Sequence, residues 1–161
     1  MAIWQFKVEI IPELAVAQRE VISIDEWNEG LWWLKKQPSQ DFLNELASIL
    51  PAHKSWSDKL SQWGRQESDL IEVWREAEKV DSISTRIETR EINHSFIKRL
   101  LECANRHHCR LVYARYRTVL PKAYDEFLEA LTGSPNYKVV SNPSEWLPKM
   151  AQEVLDEENK R

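Results

Sequence analysis

The spacing of apolar side chains changes period several times along this chain, and that alternation constrains the fold more than any single residue does. Trp4, Phe6, Val8 and Ile10 alternate with Gln5, Lys7 and Glu9. Successive side chains of a strand point to opposite sides, so this is a strand with one face toward a core, and Pro12 ends it. From Ser39 the period lengthens. Phe42, Leu43, Leu46, Ile49 and Leu50 recur at helical spacing, with Ser39 as N-cap and Pro51 as stop. The stretch Leu70-Ile71-Glu72-Val73-Trp74 and residues 83–90 return to strand, joined by a turn within 77–82. In the second of these, Ile83, Thr85 and Ile87 face one way while Ser84, Arg86, Glu88 and Arg90 face the other. Asn93 then caps a helix through Phe96, Ile97, Leu100, Leu101 and Ala104, and residues 110–116 form another strand. The order strand, helix, strand, strand, helix, strand predicts an α+β fold with a ferredoxin-like core. Helices cover one face of an antiparallel sheet, and the free face carries Lys7, Glu9, Arg86, Glu88 and Arg90.

Shorter signals fill the remainder. Ser23 and Glu26 form a capping box for a short helix through Trp27 and Leu31. Trp56, Leu60 and Trp63 are spaced for a second short helix, opened by Ser55 and closed by Gly64 in the position where a left-handed residue is wanted. Pro121 opens a helix through Tyr124, Phe127, Leu128 and Leu131 that ends at Gly133. Residues 137–140 suit a short final strand, and Trp146, Leu147, Met150, Val154 and Leu155 mark an amphipathic C-terminal helix over about 144–158. The whole is one domain, 1–161, with a core over about 4–140. The C-terminal helix can pack on its own domain or on a second copy in a homodimer, since both use the same apolar stripe.

Composition removes several function classes. Gly30, Gly64 and Gly133 are the only glycines among 161 residues. Dinucleotide and P-loop sites need clustered glycines to bring backbone amides up to phosphates, so neither can be written here. With 26 acidic against 22 basic side chains the net charge is -4. That balance excludes duplex nucleic acid as the main partner, because such binding needs a basic surface. Cys103 and Cys109 are the only cysteines and form no C-x-x-C pair, which suits a reducing cytoplasm. The N-terminus lacks the charged start and continuous apolar core of a signal peptide. No apolar run approaches the roughly 18 residues a bilayer span requires.

Three features remain as candidate chemistry. His107-His108-Cys109 with Cys103 is the densest set of metal-ligating residue types. Neighbouring residues at a helix end diverge, however, and the macrodipole explains a histidine there, so no metal or other cofactor is expected. The row Arg86, Glu88, Arg90 can bind a phosphate or carboxylate, or serve acid–base chemistry with His94. The competing reading is an exposed face laced with cross-strand ion pairs. No nucleophile, base and orienting group come together in the sequence, so the chain is not expected to be an enzyme. Tryptophan is the third feature. Trp4, Trp56 and Trp63 sit at periodic positions as core or rim residues, whereas Trp27, Trp32 and Trp33 lie in a poorly periodic stretch with Asp25, Glu26 and Glu29. Aromatic anchors in an acidic surround suit a basic partner; the alternative is a cap closing the helical layer or a sheet edge.

The series Leu50-Pro51, Ser55-Trp56, Trp63-Gly64, Ile71-Glu72-Val73, Arg86-Ile87-Glu88-x-Arg90, Phe96 and Asn142-Pro143 before Trp146-Leu147 resembles a group of small bacterial α+β proteins. Some of these are similar to immunity proteins of interbacterial toxin systems, polymorphic or contact-dependent. The resemblance spans residues 4–147 and departs at Glu88, where Asp is more usual. It carries no catalytic residues. It implies a protein that neutralises a cognate toxin by binding it. Joined to the reading of the residues, the expectation is a cytoplasmic protein that occludes the toxin through a surface comprising Asp25, Glu26, Trp27, Glu29, Trp32, Trp33, Arg86, Glu88 and Arg90. The alternative function is a small enzyme or phosphate binder on the Arg86, Glu88, Arg90 face.

Overall fold

The computed structural model describes residues 2–160, so Met1 and Arg161, the two ends of the expected domain, lie outside the described residues. The fold is α+β. Strand β1 (Gln5–Pro12) is followed by two short helices, α1 (Glu13–Val16) and α2 (Ile24–Glu29), and by α3 (Gln40–Ile49). Four strands come next: β2 (Ala52–His53), β3 (Leu60–Gly64), β4 (Leu70–Glu76) and β5 (Lys79–Glu88). Helix α4 (His94–Arg106) leads to β6 (Cys109–Tyr113) and β7 (Thr118–Val119), and the chain closes with α5 (Tyr124–Thr132), α6 (Pro135–Ser141) and α7 (Pro143–Asn159).

The sheet order is β2-β3-β4-β5-β1-β6-β7, and each adjoining pair is antiparallel. The four expected strands, β1, β4, β5 and β6, lie side by side at its centre, and three more widen it. Register explains the main core. Phe6 opposes Ile87, Val8 opposes both Thr85 and Tyr113, and Ile10 opposes Leu111, so these side chains share one face. Onto that face pack Phe42 and Leu46 of α3, Phe96, Ile97 and Leu100 of α4, and Phe127 and Leu131 of α5. The other face is only partly free. Ile11 and Val112 point to that side and are sealed by Val16, Ile22, Trp27 and Trp32 in a second, smaller core.

Local capping follows the expected residues. Ser39 accepts from the Phe42 amide at 3.1 Å, Asn93 from Phe96 at 3.0 Å and Ser23 from Glu26 at 3.3 Å. Each satisfies an amide that a helix start leaves without a partner. Two expected elements differ. The 56–64 stretch is not a helix: Leu60 and Gln62 pair with Trp74 and Glu72 as strand β3. Gly64 does have the left-handed backbone expected of it, φ +105°, but uses it to turn into β4, and a Cβ there would meet the Asp69 carbonyl. Residues 137–140 are helical rather than extended, because Ser134 caps the Tyr137 amide and Pro135 occupies the first turn of α6. Trp56, expected in the core or its rim, is 75% exposed beside Trp74. Along α7, Met150 is buried while Leu147, Val154 and Leu155 face solvent.

Phe6 sits where the layers meet, stacked on Tyr113 at 4.2 Å between centroids and edge-on to Phe127 at 6.4 Å. Replacing it by Ala removes both contacts and leaves a cavity in a fully buried site. The expected loss is about 3–5 kcal/mol, read as a lower midpoint in urea unfolding.

Candidate interaction surface

Residues 20–34 run along the β7 edge and over the second core. Val21 forms an isolated bridge to Thr118, the Val119 amide donates to Glu20 at 2.8 Å, and the Ile22 amide donates to Arg117 at 2.9 Å. Gly30, at φ 60°, then ends α2. Trp27 and Trp32 are half-buried with ring centroids 6.2 Å apart, both packed on the second core. Trp33 turns the other way. It is 5% exposed, donates its indole N–H to the Ile10 carbonyl at 3.2 Å and packs near Phe42. Trp33 is therefore a core anchor and not part of an accessible surface, a correction to its expected place. Gln37 fastens the far end, donating to the carbonyls of Trp33 and Val80 and accepting from the Val80 amide at 2.7 Å.

What this segment presents outward is mostly aliphatic and acidic. Val21, Ile24, Leu31 and Leu34 are each 52–56% exposed. Asp25, Glu26 and Glu29 are exposed beside them. Glu26 takes two hydrogen bonds from Arg19, at 2.6 and 2.8 Å, which hold its carboxyl below the usual range. Asp25 and Glu29 form no ion pair among the described residues. The exposure of the four aliphatics escapes sequence reasoning because Ile24, Leu31 and Leu34 are spaced with Trp27 like the buried stripe of a helix, whereas α2 ends at Glu29 and leaves Leu31 and Leu34 beyond it. Val21 stands outside that stripe, at the bridge to Thr118.

The Arg86, Glu88, Arg90 row does not form. Strand β5 ends at Glu88, so Arg90 lies beyond it and folds back: its guanidinium donates to Glu88 at 2.7 and 2.9 Å and lies over the Trp4 ring at 4.0 Å. Burial pushes the Glu88 carboxyl up, but these Arg90 bonds outweigh it and leave it below the usual range. Arg86 turns to the opposite neighbour, pairing with the buried Glu72 at 2.9 Å, which also accepts from Gln62 at 3.1 Å. Both guanidiniums are thus committed to carboxylates of their own chain. His94 is remote in role as well, its ring nitrogen lying against the Tyr124 hydroxyl of α5. The expected site residues therefore separate into an outward group on α2, a buried Trp33, and ion pairs at β4 and β5 on the other side of β1 in the strand order.

The histidine–cysteine cluster is also rearranged. His108 is exposed and turned toward Glu13, while the donor atoms of His107, Cys103 and Glu45 lie within 4.8 Å of one another. Glu45 already accepts from His107 at 2.7 Å and pairs with Arg106, and burial pushes the Cys103 thiol up to about 12. Glu45 lies far away in sequence and was not part of the expected cluster. Compared with protein-family models, with curated proteins and with solved structures, the chain matches none.

Glu9, on the same sheet face as Arg86, opposes Ser84 and Val112. Burial pushes its carboxyl from the usual 4.5 to about 7; Lys7 opposes the shift, and Asp81 and Glu72 add to it. A carboxyl whose folded pKa lies above its unfolded one destabilises the fold when ionised. The penalty is absent below pH 4.5, grows between 4.5 and 7 and is complete above 7. Asp69, raised by burial from 3.8 to about 6, acts in the same direction. Stability should therefore rise as pH falls from 8 to 5. Glu9→Gln should flatten that profile and add on the order of 1–3 kcal/mol at pH 8, read by urea unfolding across pH.

Proposed function

We propose that this is a binding protein of the cytoplasm that acts by occluding a protein partner, in the manner of an immunity protein that neutralises a cognate toxin. The observation that carries the reading is the outward face of residues 20–34: four half-exposed aliphatics interleaved with unpaired acidic groups, on a segment anchored from beneath by Trp27, Trp32 and Trp33. Exposed aliphatic area on a fixed backbone is what a protein interface needs, because little ordering cost is left to meet on binding. Asp25 and Glu29 select for a basic partner and speed its approach. Supporting the cytoplasmic setting, Cys103 and Cys109 are buried free thiols. No helix among the described residues is long and apolar enough to cross a membrane. The reading assigns no chemistry to the chain, in keeping with the self-paired state of Arg86 and Arg90.

The test is a titration with the product of the gene adjacent to this one. A complex tighter than micromolar supports the reading, and its absence overturns it. In such a complex, Ile24→Ser with Leu31→Ser should weaken binding at least tenfold with the melting temperature nearly unchanged. Asp25→Lys with Glu29→Lys should slow association and reduce its dependence on salt, read by stopped-flow at two ionic strengths.

A further inference from the structure

Helices α3 and α4 bring together three side chains of metal-ligating type. Glu45 comes from α3, Cys103 lies in the last turn of α4, and His107, four residues on, is the C-cap of that helix. A spacing of four puts Cys103 and His107 on one side of α4. Cys103 Sγ, a ring nitrogen of His107 and a carboxylate oxygen of Glu45 lie within 4.8 Å of one another. Cys103 is 1% exposed, whereas the side chains of Glu45 and His107 are 26% and 20% exposed. The set is closed behind the sulfur and reached by water from the other side.

An ordinary ion pair explains only part of this. Glu45 Oε2 lies 2.7 Å from His107 Nε2 and its other oxygen meets Arg106, but neither contact involves the thiol. Cys109 Sγ donates to the His107 carbonyl at 3.5 Å, while Cys103 Sγ has no hydrogen-bond partner among the described residues. A nucleophilic Cys–His–carboxylate relay does not fit either, because its imidazole stands between sulfur and carboxylate and uses both ring nitrogens. Here the three donor atoms form a compact triangle. That is the arrangement a metal ion needs.

Donor chemistry selects the ion. Thiolate, imidazole and carboxylate together suit Zn2+, whereas Mg2+ and Ca2+ take oxygen donors. Bonds of about 2.0–2.2 Å to nitrogen and oxygen and about 2.3 Å to sulfur set tetrahedral donors roughly 3.3–3.6 Å apart. The Glu45 and His107 atoms, now 2.7 Å apart, therefore part by roughly 0.6 Å to seat the ion. A thiolate and a carboxylate balance its charge, and the negative end of the α4 dipole adds to the attraction. Arg106 on the outer oxygen keeps the carboxylate oriented.

We propose that Glu45, Cys103 and His107 bind one Zn2+ ion, which ties α3 to the C-terminal end of α4, with water in the fourth position. The thiol proton leaves to solvent as the Zn–S bond forms, and the ion replaces the hydrogen between His107 and Glu45. The site is separate from the face of residues 20–34 and does not rest on the partner reading.

Co2+ is the probe for the full chain, since it enters zinc sites and reports a bound thiolate by an ultraviolet charge-transfer band. Expected are saturation at one equivalent, displacement of the cobalt by Zn2+ and loss of the band in Cys103→Ser. Glu45→Gln and His107→Gln should each weaken binding at least tenfold. Absence of the charge-transfer band, its persistence in Cys103→Ser, or unchanged affinity in either of the other variants overturns the proposal. Should Cys103→Ser fail to fold, the Glu45 and His107 variants carry the test, since both side chains are partly exposed.

Discussion

Strand β1 is the element on which the rest of the structure depends, because it is paired along both edges, fully buried on one face and buried at both ends of the other. Its first half pairs with β5 and its second half with β6. Phe6, Val8 and Ile10 reach into the main core, while Gln5, on the other face, is fully buried and donates to the carbonyls of Gln66 and Ser68 at 2.9 and 2.8 Å. Ile11, also fully buried, nucleates the second core. Buried residues on both sides of a strand need two covers, and the helical layer covers only one side. Val16, Ile22, Trp27 and Trp32 supply the second cover over Ile11, and the Gln66–Ser68 segment supplies it over Gln5.

That requirement explains which parts of the fold were legible in the sequence. Elements defined by their own residues could be read: the caps at Ser39 and Asn93 act within one turn, and the period of the following apolar residues identifies the buried stripe of α3 and α4. Elements defined by a distant partner could not. Strand β3 exists because Leu60 and Gln62 pair with Trp74 and Glu72, yet the spacing of Trp56, Leu60 and Trp63 also fits a helix. Strands β2 and β7 are two residues each and carry no period at all. The consecutive pair Ile10-Ile11 was the one local hint of two-sided burial, since alternation fails where both faces of a strand are dry.

The candidate surface was legible only in its location. Composition singled out the tryptophans near residue 30 and their acidic neighbours, but adjacent residues in an irregular segment diverge. Trp32 contributes to the second core while Trp33 crosses to bond the Ile10 carbonyl in the main one. No count of apolar residues separates those two fates. The Arg86, Glu88, Arg90 row failed for a related reason. Alternation places side chains on a face only while the strand lasts, and β5 ends two residues before Arg90, whose guanidinium then finds Glu88 rather than an external anion.

The segment that closes the second core also bears the aliphatic face turned to solvent. Its inward residues, Ile22, Trp27 and Trp32, are held by β1 and β6, and Trp33 is held by β1 and α3. Its outward residues, Ile24, Leu31 and Leu34, therefore rest on a backbone whose position is set by burial and not by contacts of their own. Exposed aliphatic side chains on a mobile loop would collapse onto the nearest apolar surface. Here the tryptophans already occupy that surface, which leaves the aliphatics with solvent or a partner as their only neighbours.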